Sequence, residues 1–69
     1  MDIGLAIKVA RVTKGIKQGD LAKACGMAQQ HLYRIESGKM KPSLKTLFKI
    51  SIELGIPLSQ LFKMVENET

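Results

Sequence analysis

Sixty-nine residues bound this chain to one small domain, residues 1–69, with little room for the second shell that a preorganised catalytic site needs. Hydrophobic residues make up 45% and charged residues 25%, the balance of a folded globular chain. Lys and Arg number 11 against 6 Asp and Glu, and the net charge of +5 points to an anionic partner. One Cys excludes an internal disulfide, no apolar run approaches a membrane span, and Asp2 and Lys8 interrupt any signal-peptide core. The chain is expected to be cytoplasmic and independent of membranes. It leaves no space for a separate effector-binding domain, so no small-molecule effector is expected.

The composition favours helix, and no run of strict apolar/polar alternation predicts a strand. Ile3, Ile7 and Ala10 recur at i, i+4 and i+7 and give a first helix its inner stripe, with Gly15 as its stop. A second helix runs from Gln18 to Cys25, with Leu21, Ala22 and Cys25 on one side, and ends at Gly26. The third covers Ala28 to Ser37 and is closed by Gly38. Ser43 caps a fourth helix reaching Leu54, for which Leu44, Leu47, Ser51 and Leu54 are the predicted core, and Gly55 ends it. Pro57 opens a fifth, with Leu58, Leu61, Phe62 and Val65 at helical spacing. The prediction is an all-α, compact five-helix fold. A chain this short needs high helicity or a partner subunit to be stable.

The charge is unevenly placed. Residues 1–42 hold eight Lys and Arg against three acids, a net of +5, while residues 43–69 hold three against three. The field therefore belongs to the first three helices and the loop after them, as a polyanion partner would require.

The stretch QGDLAKACGMAQQHLYRIES, residues 18–37, joins two short helices through a Gly-containing turn, the layout of a helix-turn-helix. Ala22 is small where the two helices meet, and Leu21, Cys25, Leu32 and Ile35 supply a shared core. At about 100° per residue, Ala28, Leu32 and Ile35 share one face of the third helix, and Gln30, Tyr33, Arg34 and Ser37 point away from it. Gln29 lies on the flank near the helix start. Gln can bond adenine N6 and N7 together, and Arg can bond guanine O6 and N7, so this face suits base edges.

These residues, in order, resemble the phage-repressor and Cro-type helix-turn-helix regulators, the XRE family. The match runs through Arg11, Gly15-Ile16-Lys17-Gln18, Leu21-Ala22, Gly26, Leu32, Ile35-Glu36-Ser37-Gly38, Pro42, Leu47 and Leu54-Gly55-Ile56, and spans about residues 3 to 65. The resemblance implies a third helix in the major groove and a second across the DNA backbone. By position, it implies base reading by Gln29, Gln30 and Arg34, with Tyr33 on the same face. It assigns phosphate contacts to Gln18, Lys39 and Lys41, and a structural ion pair to Arg11 and Glu36. Met27, Ala28 and Ser51 depart from the family's usual Val, Ser or Thr, and Ala. At Ala28 the cap of the third helix is lost.

A single reading helix spans few base pairs, so the resemblance implies a homodimer on an inverted-repeat, double-stranded operator. Residues 43–65 are the expected source of core closure and pairing, with Ile52, Phe62 and Met64 as interface candidates and Phe48 on the same flank as Ile52. The implied function is a sequence-specific transcriptional regulator, by default a repressor that controls its own gene. An antitoxin or adaptor using the same fold for protein binding is the alternative, separable by its gene neighbourhood. A membrane-surface binder fits less well, because the apolar residues of the first three helices are assigned to a shared core. His31 borders the inward face and is read as structural, and Cys25 as a small core residue. One His and one Cys fall short of a metal site, and no catalytic pairing or phosphate-binding glycine loop appears, so neither metal, cofactor nor enzyme activity is expected.

Overall fold

The computed structural model describes residues 1–66, which form α1 (Ile3–Thr13), α2 (Gln18–Ala24), α3 (Gln29–Glu36), α4 (Leu44–Leu54) and α5 (Leu58–Glu66). No strand occurs among the described residues, and none of the helices is long and apolar enough to cross a membrane. Each predicted helix is present, and α2 and α3 give up their predicted end residues Cys25, Ala28 and Ser37 to capping positions.

Helix ends follow from side chains and from one recurrent turn. The Asp2 carboxylate accepts from the Leu5 N–H at 2.8 Å and caps α1, and the Ser43 hydroxyl accepts from the Thr46 N–H at 3.1 Å and caps α4. Ala28 makes no side-chain cap for α3. After α2, Gly26 takes φ 69°, where a side chain would be strained, so that its N–H reaches the Lys23 carbonyl at 3.0 Å and the Met27 N–H reaches Ala22 at 2.9 Å. This paired closure turns the chain sharply from α2 into α3. The helix-turn-helix geometry follows from it.

The core gathers one face of every helix. Ile7, Leu21, Leu32, Ile35, Ile50 and Leu61 are fully enclosed, with Ala6, Ala10, Ala22, Cys25, Leu47 and Leu54 around them. α1 packs on α3 and α5, α2 on α3, and α4 closes against α2 and α5. Where α1 crosses the end of α3, a Cβ on Gly4 would overlap the Ile35 carbonyl oxygen, so glycine sets how near the two backbones lie.

Two predicted core positions need correction. Leu44 is 63% exposed, and Ile50, absent from the expected stripe, is fully buried in its place. Leu44 shares helical spacing with two stripes of α4, and it falls on the outward one with Phe48 and Ile52, at the first turn. In α5, Leu61 is enclosed while Phe62 is 42% exposed, because five apolar positions in nine residues make a face wider than the core can cover.

Candidate nucleic-acid interface

The interface starts from a buried ion pair. Arg11 of α1 and Glu36 of α3 are both more than nine-tenths enclosed. The guanidinium Nε donates to Glu36 Oε2 at 2.7 Å and one terminal nitrogen to Oε1 at 3.0 Å, a two-pronged contact that fixes the carboxylate plane. The other terminal nitrogen donates to the Ile16 carbonyl at 2.8 Å and holds the loop before α2. No buried side-chain polar atom among the described residues lacks a partner.

The same carboxylate then orients an outward chain of amides. Gln18, first residue of α2, donates from Nε2 to Glu36 Oε1 at 2.9 Å, and Gln29 donates from Nε2 to Gln18 Oε1 at 3.3 Å. Direction is forced by chemistry: an ionised carboxylate only accepts, so Gln18 must turn its NH2 inward and its oxygen outward. Gln29 must in turn offer its NH2 to Gln18, which leaves its carbonyl oxygen and a second N–H for a ligand. Gly19 makes room for this arrangement, since a Cβ there would stand 3.0 Å from Gln29 Oε1.

Beyond this chain the outward face of α3 is open. Gln29, Gln30, Tyr33 and Arg34 are all exposed, whereas Leu32 and Ile35 are enclosed and His31 is half-buried. The following loop is pinned to the same helix: the Arg34 carbonyl accepts from the N–H of Lys39 at 2.9 Å and of Met40 at 3.2 Å, and from the Ser37 hydroxyl at 3.2 Å. Lys39 and Lys41 thus ride on a loop tied to the end of α3, and both are exposed.

The electrostatics sharpen with burial. Arg11 and Glu36 cancel inside, so the exposed charges of residues 1–42 are seven Lys and Arg against Asp2 and Asp20, and the net +5 lies on the surface. Cys25 contributes no nucleophile, since burial, aided by Glu53, raises its thiol pKa and holds it protonated. No cluster of three or more His, Cys, Asp or Glu able to hold a metal exists among the described residues.

The helix-turn-helix family pattern matches residues 7–61, most of the chain and all of the site. The chain belongs to the helix-turn-helix family of DNA-binding transcriptional regulators. Within that family it is 44% identical over 64 residues to the ImmF control region 10 kDa protein of Bacillus phage phi105, covering 93% of this chain and 70% of the relative. It is also similar to SinR, the master regulator for biofilm formation, solved in complex with DNA: TM-score 0.82 and 34% identity over 88% of this chain and 98% of that one. The clp gene regulator ClgR of Corynebacterium glutamicum superposes with TM-score 0.94 over 96% of this chain and 70% of that one, and at 23% identity the likeness is one of fold.

Sequence reasoning brought Arg11 to Glu36 and kept Gln30, Tyr33 and Arg34 on one free face. It missed that the Gln18 side chain is engaged by Glu36 and Gln29, for which residue type alone gives no signal. Asp2 as the cap of α1 was legible, standing just before the first apolar-periodic residue. Among the interface candidates, Ile52 is 69% exposed and Phe62 is exposed, while Met64 is half-buried against the core.

Proposed function

We propose that this chain is a homodimeric repressor that lays α3 into the major groove of an inverted-repeat operator. The observation that carries this reading is the directed chain from Arg11 through Glu36 and Gln18 to Gln29. It holds the Gln29 amide with one N–H and its carbonyl free, the donor and acceptor pair that adenine N7 and N6 require. Gln30 and Tyr33 lie along the same groove floor, and Arg34 takes guanine through O6 and N7. Lys39 and Lys41 meet the phosphates beside the reading helix, as does Gln18 at the start of α2, whose side chain also orients Gln29.

Pairing uses the second half of the chain. Leu44, Phe48 and Ile52 form an exposed apolar line on α4, and on α5 Phe62 is exposed and Met64 half-buried. Two copies joined across a two-fold axis present two reading helices to half-sites about one DNA turn apart. Coupled pairing and DNA binding make operator occupancy a steep function of chain concentration, and an operator overlapping a promoter excludes polymerase. The resemblance to a phage control-region protein and to SinR supports this assignment.

Selection of bound duplexes from a random pool at fixed salt tests the proposal. The expected product is an inverted repeat with half-site centres about 10 base pairs apart, bound by two chains. Ile52→Glu should lower the affinity for the full operator while leaving half-site binding unchanged. Retention of unrelated sequences, or one chain per selected site, would overturn it.

A further inference from the structure

Gly19 is the second residue of α2 and stands in ordinary helical backbone, where glycine is among the poorest helix formers. The other glycines have a backbone reason: four of the six take a positive φ at helix ends, and Gly4 makes way for the carbonyl of Ile35. At Gly19 the space beside Cα is taken by a side chain instead. A Cβ there would stand 3.0 Å from Gln29 Oε1, 3.5 Å from its Cδ and 3.9 Å from its Nε2. These three nearest atoms are the whole amide group of one exposed residue of α3. The same amide donates to Gln18 Oε1 at 3.3 Å. That bond is already longer than the usual upper range of about 3.2 Å.

We propose that Gly19 is a positioning residue that sets which base Gln29 reads, an inference that rests on the reading of α3 given above. The amide is planar, so an outward push on its oxygen moves its nitrogen as well. Room for a methyl needs about a few tenths of an ångström, and the flexible end of Gln29 yields before two packed helix backbones do. That displacement stretches the bond to Gln18 past its useful length. Untethered, the amide turns about its last torsion, which is broad and nearly two-fold, and offers donor or acceptor to either groove atom. Adenine demands one order of donor and acceptor, and the seat on Gly19 is what keeps that order. The methyl would also cover one side of Oε1, the acceptor that the adenine N6 amino group needs. Gly19 touches no base itself and acts through the amide seated on it.

The test takes the parent chain, Gly19→Ala, Gln29→Ala and the double variant through selection from one random duplex pool, with thermal melting and side-chain amide NMR of the free chains. Gln29→Ala is expected to relax one base position in each half-site. Gly19→Ala should relax that same position by about tenfold, with affinity for a random duplex unchanged and the Tm equal or higher. In the double variant the glycine substitution should add nothing. In the free chain, Gly19→Ala should shift the side-chain amide signals of Gln18 and Gln29 and leave those of Gln30 in place. A Gly19→Ala profile identical to the parent's, with Gln29→Ala relaxed, would overturn this inference alone. So would unmoved Gln29 signals, a lowered Tm, or a loss that persists undiminished in the double variant, where the methyl would be meeting DNA directly. If Gln29→Ala relaxed no position, the base-reading role of Gln29 would itself fall, and this inference with it.

Discussion

The two halves of this chain use polarity in opposite ways. Residues 1–42 bury a charged pair, surround it with amides and place a net +5 on the surface. Residues 43–69 carry balanced charge, and their helices leave Leu44, Phe48, Ile52 and Phe62 in solvent. An apolar pair would be the simpler way to join α1 to α3, because desolvating two charges often costs as much as their attraction returns. The ion pair earns its place through direction. It tells Gln18 which end of its amide faces inward, and Gln18 tells Gln29. The second half needs no such directionality, because closing a core depends on area and shape.

The largest expected effect separates these roles. Glu36→Ala leaves the Arg11 guanidinium enclosed without its partner and should cost about 3–5 kcal/mol, enough to unfold a domain this small at 25 °C. The double variant Arg11→Met with Glu36→Leu should regain most of that stability by thermal melting, yet lose operator affinity because Gln18 and Gln29 are no longer oriented. A double variant that binds operator like the parent would erase the proposed distinction between the halves.

Gly4 gives the next effect. Alanine is ordinarily the better helix former, by about 1 kcal/mol. Here its methyl would meet the Ile35 carbonyl, and parting α1 from α3 should cost about 1–3 kcal/mol, so the net change in a denaturant melt is destabilising. The smaller gain comes at the start of α3. Ala28→Ser restores a cap the helix lacks and should stabilise by about 1 kcal/mol, raising the Tm by roughly 4–8 °C. A stabilisation of that size with unchanged operator affinity would show that the reading helix is already ordered in the free chain.

Much of this architecture was legible before any coordinates. Gly15, Gly26, Gly38 and Gly55 mark helix ends because each takes a positive φ that the residues around it avoid. Gln30, Tyr33 and Arg34 were legible as a face because the period of a helix separates them from Leu32 and Ile35. What stayed hidden depended on neighbours. Gly4 reads as a weak helix former until α3 lies across it, and Leu44 fits two stripes until the packing selects one. Gln18 matched a family position for a DNA contact, but its hold on Glu36 is visible only when α1, α2 and α3 are assembled.

The most direct test of the central claim compares Arg34→Ala with Lys41→Ala on the selected operator and on a random duplex across a salt series. The account predicts that Arg34→Ala costs about 1–3 kcal/mol on the operator and relaxes one base position in each half-site, with little change on random DNA. Lys41→Ala should weaken both duplexes alike and lower the salt slope by about one. If both substitutions weakened both duplexes equally, α3 would not be the element that reads sequence.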